Sequence, residues 1–309
     1  MIAHGRWSRR EFLGGVIAAG AAVTSASRLT AAASPAESVP MPDGWQIGCY
    51  TRPWANLEWR AALDAIADAG YKFAGLMTAK SKTGLILSCE TTLEEARQVG
   101  EEAGRRGLAI PSVYGGNIPV AKSLADGILG LKKLIDNCVA AGAWNLMMGG
   151  VGDPKLQETY YKAIAECCDY GVEKKVGISV KPHGGLNATG PQCRKVIEQV
   201  GHKNFRLWYD PGNIFFYSDG QRDPVADAAA VDGLVIGMSV KDYQPPKRVD
   251  VTPGTGKVNF AAVLARLKQG GFTHGPLIVE CLAPGDTAAT IEEAKKARGF
   301  LEELTGTKV

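Results

Sequence analysis

Four charged signatures stand in the second half of this 309-residue chain: Lys181-Pro182-His183, Asp210-Pro211-Gly212-Asn213, Lys241-Asp242 and Glu280. Carboxylates, an imidazole and amines can hold a divalent metal, carry a proton or stabilise an oxyanion. Each signature closes a short β-rich run: 176–180, 205–209, 234–240 and 276–279. In a parallel barrel the chemistry sits at the C-terminal ends of the strands, where several strands converge on one pocket. The spacing therefore predicts an enzyme with one composite site.

Side chains two apart on a strand point the same way. Ser179, Lys181 and His183 thus share a face, as do Gly237, Ser239 and Lys241, and Glu280 aligns with Ile278. A charge facing into a barrel is costly unless paired or hydrated, so Lys181, Asp210 and Glu280 are expected to neutralise one another or a ligand. Plainer roles exist for each residue. His183 before two glycines can cap a turn, Asp210 before Pro-Gly suits an Asx turn, and Lys241-Asp242 can be a rim ion pair. Glu280, the one acid of an apolar run, fits a structural role least. Trp54, Tyr114 and Trp208 are candidates for an aromatic wall that stacks on a ligand, although Trp208 also suits the core. Gly115-Gly116, Gly149-Gly150 and Gly184-Gly185 allow either close approach to a ligand or tight turns. His202 and His274 fall in predicted turns at the surface.

These residues need a scaffold, and the rest of the chain supplies one. Further strands are predicted over 46–50, 73–77, 109–114 and 144–148, giving eight. Helical periodicity covers 59–69, 93–106, 121–141 and 157–174, and Gly70, Gly107 and Gly270-Gly271 fall where left-handed caps belong. Strands alternating with helices predict a parallel α/β fold, here a single (β/α)8 TIM barrel. An open doubly wound sheet would want a glycine-rich phosphate loop after strand one, where Thr51-Arg52-Pro53-Trp54 stands instead.

The first residues read as a twin-arginine export signal. Ser8-Arg9-Arg10-Glu11-Phe12-Leu13 precedes a Gly/Ala-rich apolar stretch and the small residues Ala31-Ala32-Ala33. That stretch is shorter than the ~20 residues a membrane-spanning helix needs, so no stable transmembrane segment is expected after cleavage. The expected organisation is a signal over 1–33, a linker over 34–44 and a barrel over 45–309, with the protein in the periplasm or otherwise exported. The signal carries Arg6, Arg9, Arg10 and Arg28 against Glu11, a net of 4 − 1 = +3, equal to the net charge of the whole chain. The remainder is near neutral and lacks a basic stripe, which excludes nucleic acid as a natural partner. Seven cysteines show no zinc-type spacing and are expected as free thiols.

From strand five onward the spacing of Trp208-Tyr209-Asp210-Pro211-Gly212-Asn213, Ser239-Val240-Lys241-Asp242, the loop Gly254 to Phe260 and Ile278-Val279-Glu280 resembles the xylose isomerase-like TIM barrels, a family of sugar phosphate isomerases and epimerases. The resemblance implies one divalent metal held by a glutamate on strand five, an aspartate on strand six, a histidine on strand seven and a glutamate on strand eight. Asp210 and Glu280 match that pattern. The other two positions hold Lys181 and Ser239, and a histidine found in many relatives is here Asn213.

Two readings of the pocket follow. In one, His183, Asp210 and Glu280 hold a divalent metal (Mn, Fe, Co, Zn or Mg), leaving positions open for substrate oxygens. In the other, the Lys181 ammonium sits where a metal would and pairs with Asp210 and Glu280. The expected activity is an isomerase, epimerase or lyase of a small carbohydrate or polyol, working by proton abstraction next to a carbonyl. Glu280, Lys181 and Lys241 are the catalytic candidates. Trp54, Tyr114, Trp208, Asn213 and Asp242 are the substrate-binding candidates. The rival is a non-catalytic carbohydrate-binding barrel that has lost its metal site. A metal-dependent phosphodiesterase would want more than the chain's four histidines.

Overall fold

A computed structural model describes residues 38–40 and 42–309, so the expected export signal lies outside the described residues. Eight parallel strands run β1 (Trp45–Tyr50), β2 (Phe73–Gly75), β3 (Val113–Tyr114), β4 (Asn145–Met148), β5 (Gly177–Val180), β6 (Phe205–Tyr209), β7 (Val235–Val240) and β8 (Gly275–Val279). Their order in the sheet is β2-β1-β8-β7-β6-β5-β4-β3. Parallel bridges from Phe73 to Ala109 and from Leu76 to Val113 join the two ends, which closes the (β/α)8 barrel.

The third strand is shorter than its sequence predicts. Pro111 interrupts 109–114 and has no N–H to give, so Ala109 and Ile110 make only isolated bridges before the ladder resumes at Val113. Helices pack outside: α1 (Trp59–Asp68), α2 (Leu93–Arg105), α3 (Leu124–Ala141), α4 (Gln157–Glu173), α5 (Gly190–Val200), α6 (Pro211–Phe216), α7 (Pro224–Ala228), α8 (Phe260–Gln269) and α9 (Thr287–Thr305). Their starts follow from capping chemistry. Thr92 and Glu95 form a reciprocal capping box on α2, and Thr189 with Gln192 does the same on α5.

The strands hold two apolar bodies. The larger lies between the strands and the helices, as expected of strands covered on their outer face. A small second cluster, Tyr50, Met77, Met147, Trp208 and Ile278, is buried apart from it, with Tyr114 packed against it. Strands β2 and β7 make room for its rings by omission. A Cβ at Gly75 would collide with the Tyr50 ring, and one at Gly237 with the Trp208 indole that lies opposite it in register. Tyr50, Trp208 and Ile278 of this cluster stand on β1, β6 and β8, strands whose ends carry the polar groups of the site.

Candidate functional site

The Asp210-Pro211-Gly212-Asn213 turn shows how sequence sets the site. Asp210 ends β6 and caps α6, its Oδ1 accepting the Asn213 N–H at 2.9 Å, and Pro211 occupies the first helical position where no N–H is needed. A side chain on Gly212 would strike the Lys241 carbonyl at 2.6 Å and the Lys241 Cγ at 2.7 Å, so glycine lets this turn pack on the lysine stem. Asn213 donates from Nδ2 to the Pro182 carbonyl at 2.7 Å and accepts from Lys241 Nζ at 3.0 Å. Four residues of β6 and α6 thereby tie the ends of β5 and β7 together.

The capping role leaves Asp210 Oδ2 free to face two ammonium groups, Lys181 Nζ at 2.9 Å and Lys241 Nζ at 3.1 Å. These are ion-pair distances, although the angles at Oδ2 are not those of hydrogen bonds. Glu280 completes the ring. Lys181 Nζ donates to its Oε2 at 2.6 Å, and Lys241 Nζ lies 2.6 Å from its Oε1. Two amines and two carboxylates from β5, β6, β7 and β8 thus form one closed set, each no more than 2% exposed. Arg52, just past β1, adds a third cation, its Nη1 lying 3.1 Å from Glu280 Oε1 with a side chain 36% exposed.

Electrostatics follow from that packing. Burial raises the Glu280 pKa, but Lys181, Lys241 and Arg52 outweigh it and hold the carboxyl well below its ordinary 4.5. Burial lowers the Lys241 pKa, yet Asp210 and Glu280 carry it above 10.5. Both groups are therefore ionised at neutral pH, and Glu280 as it stands is a weak base.

His183 lies elsewhere. Its backbone N–H bonds the Asn187 carbonyl in the turn after β5, and its ring sits between Tyr114 (centroids 6.1 Å apart) and Tyr217 (5.9 Å). The ring surface is solvent-accessible, but the recess around it is crowded. Desolvation there, then the charges of Lys181 and Lys241, lower its pKa to about 4, so it is neutral at pH 7. Being exposed, the ring can meet a ligand.

A divalent metal on His183, Asp210 and Glu280 does not fit these residues. The Glu280 oxygens and the inward Asp210 oxygen already face ammonium nitrogens at 2.6–3.1 Å, and a dication among them would add charge beside three cations. Among the described residues no three His, Cys, Asp or Glu side chains are grouped to hold a metal ion. The three-ligand expectation is corrected accordingly, and no step below runs through a metal.

Other expected site residues separate by location. Tyr114 lines the mouth and is half-buried. Trp54 and Trp208 do not form a sugar wall: they are 1% and 0% exposed, in the outer core and in the inner apolar cluster. Asn213 is spent on Pro182 and Lys241, so it positions the lysine. Asp242 points away from its neighbour Lys241, and accepts backbone N–H groups from Tyr243 and Val258 on Oδ1 and from Gly254 and Gly256 on Oδ2, at 2.8–3.0 Å. It organises the loop after β7 and makes no rim ion pair. The glycine pairs make room for the protein's own side chains: Gly149 for Tyr114 and His183, Gly150 for Asn187, Gly184 for Tyr217.

Two residues went unread in the sequence. Arg52 was legible as a cation at the end of strand one. Tyr217 closes the aromatic run Phe215-Phe216-Tyr217 and, at 37% exposed, flanks His183 opposite Tyr114. A cavity of about 270 Å³ opens beside Arg52 and is lined by Glu280, Asn56, Asp250, Cys281 and Thr290. A larger hollow of about 510 Å³ near Trp59, Lys82 and Glu95 shares no residue with the charged set, and its size does not make it the site. All seven cysteines are free, and all but Cys89 are buried; burial pushes the Cys281 thiol beside the cavity up to about 11, leaving it inert.

Comparison with known proteins agrees with the geometry. A model of the family described as xylose isomerase-like TIM barrel matches residues 63–304. A probable L-ribulose-5-phosphate 3-epimerase of Mycoplasma pneumoniae is 28% identical over 116 residues, 36% of this chain and 37% of that protein, so the match spans about a third of that relative's length. Among solved structures, a D-psicose 3-epimerase crystallised in the presence of D-fructose superposes with a TM-score of 0.68 at 12% identity, covering 85% of this chain and all of the other. A xylose isomerase domain protein of Planctomyces limnophilus gives 0.66 at 19% identity, covering 84% and 97%. At these identities the structural likeness speaks for the fold.

Proposed function

As the chain belongs to the xylose isomerase-like TIM barrel family, we propose that it is an isomerase or epimerase of a carbohydrate or polyol, moving a proton at a carbon next to a carbonyl. The observation that supports this most is the set Lys181, Asp210, Lys241 and Glu280, converging from four strand ends beside an open cavity. The named activities of the epimerase relatives point to ketoses as the substrate class. The expected export signal favours an unphosphorylated one, since sugar phosphates are mainly cytoplasmic.

The chemistry follows from donor counting. Each ammonium has three N–H donors. A substrate carbonyl and its neighbouring hydroxyl can draw donors of Lys181 and Lys241 toward themselves, which loosens the hold on Glu280 and raises its basicity. Glu280 then takes the proton from the carbon, the two ammoniums stabilise the enediolate oxygen as charge develops there, and Glu280 returns the proton to the adjacent carbon while the hydroxyl proton passes to the former carbonyl oxygen, which completes the isomer. Arg52, the partly exposed cation, guides the substrate in. Tyr114, His183 and Tyr217 pack ring against ring and offer an aromatic surface, with the neutral imidazole able to share a hydroxyl proton.

A second reading has a specific observation in its favour. The amines and carboxylates are mutually neutralised and almost fully buried, which also suits a carbohydrate-binding barrel without turnover. Incubating wild type and Glu280→Gln with a panel of ketoses and polyols in D2O, and following the carbon next to the carbonyl by NMR, separates the two. Deuterium uptake or epimerisation that is lost in the variant supports the enzyme. Saturable binding without exchange in either protein contradicts it and supports the binding barrel.

A further inference from the structure

We propose that Lys181 and Lys241 together replace a divalent cation, so that the site is metal-independent by construction. Two ammoniums carry the charge of one dication, and they make the contacts a shared ion would make. Each reaches both carboxylates, Lys181 through Glu280 Oε2 at 2.6 Å and Asp210 Oδ2 at 2.9 Å, Lys241 through Glu280 Oε1 at 2.6 Å and Asp210 Oδ2 at 3.1 Å. The charges of the four groups cancel, two against two, which is the condition under which buried ions are tolerated.

The replacement is built rather than incidental, because other residues exist to place it. Asn213 accepts from Lys241 Nζ at 3.0 Å, Gly212 admits the Lys241 stem, and Asn187 holds the Lys181 carbonyl at 2.7 Å while also bonding Gly149. Where the family resemblance expects a histidine ligand, strand seven carries the short, buried Ser239 instead. A metal ion would have to expel both ammoniums from a buried set and leave them unpaired. The catalytic half of this inference, in which the ammoniums take the enediolate oxygen, rests on the enzyme reading above; the cation-binding half does not.

The test uses Mn²⁺ on the full chain purified without chelators, read by calorimetry and by thermal unfolding with and without EDTA. Wild type is expected to bind no Mn²⁺ at 1 mM and to unfold at the same temperature with Mn²⁺, with EDTA and with neither. Lys181→Gln with Lys241→Gln removes both ammoniums, and Lys181→Glu with Ser239→His and Lys241→Gln rebuilds a set of three carboxylates and an imidazole with neither ammonium beside it. The triple variant is expected to bind about one Mn²⁺ and to gain several degrees of unfolding temperature from it. One equivalent of Mn²⁺ on wild type, or an EDTA-sensitive unfolding temperature, overturns the proposal. So does a folded triple variant that ignores Mn²⁺. If neither variant folds, the wild-type titration decides alone, and none of these readouts depends on turnover.

Discussion

The two halves of the barrel mouth are built from different materials. Strands β5 to β8 end in Lys181, Asp210, Lys241 and Glu280, locked in short ion pairs and at most 2% exposed. After β1 to β4 the mouth presents Thr51, Met77, Tyr114 and paired glycines, with Arg52 the cation that reaches Glu280 from that side. The difference assigns labour. The second half concentrates fixed charge where a proton transfer needs it, while the first half supplies the Tyr114 ring and one partly exposed cation. Buried charge demands complete pairing, which explains why the charged half also carries the positioning residues Asn213, Gly212 and Asn187.

That division can be broken at several points. Glu280→Gln keeps the shape but removes the base, and a fall of about 10²–10⁴-fold in turnover is expected on whichever ketose proves to be the substrate; steady-state kinetics that change less would move the base elsewhere. Lys181→Met leaves two buried carboxylates with fewer cations, and a loss of about 3–5 kcal/mol is expected in urea unfolding. Asp242→Ala strips four backbone N–H groups of their acceptor and is expected to cost about 2–4 kcal/mol. Hydrogen exchange should then rise across 250–258 and leave the β5 turn unchanged. Arg52→Ala, on the other half, removes a cation 36% exposed from a carboxylate that keeps both ammonium partners, so its stability effect should stay at about 1 kcal/mol. Its signature is a higher KM, and a stability loss matching that of Lys181→Met would erase the contrast.

Acid sharpens the same comparison. Glu280 titrates in the fold well below its ordinary 4.5, so the native state holds fewer protons than the unfolded chain below that value. Its contribution to stability is present above about pH 4.5 and lost as pH falls through the folded value. Glu280→Gln should therefore flatten the acid side of the stability curve, which circular dichroism against pH can follow.

How far the sequence foretold this depends on the range of the information. The barrel and the charged strand ends were legible because strand alternation and helix periodicity are local. The placement of Lys181, Lys241 and Glu280 on interior faces follows from residue parity alone. The same parity argued against Asp242, which is adjacent to Lys241 and so belongs on the other face. The roles of Trp208 and Trp54 were not legible, since an indole suits a wall or a core equally. What decides Trp208 is Gly237 opposite it, a pairing across two strands that residue types do not announce. The metal expectation rested on His183 and the expected export route as well as on the resemblance, and the departures at Lys181 and Ser239 kept the ammonium reading open beside it.

A double-mutant cycle between Lys181→Met and Glu280→Gln, measured by equilibrium unfolding at pH 7, tests the ammonium–carboxylate set most directly. The contacts described here predict a coupling energy of about 2–3 kcal/mol between the two sites. A coupling within about 0.5 kcal/mol of zero would mean that Lys181 and Glu280 do not hold each other in the folded protein, and would contradict the site as described.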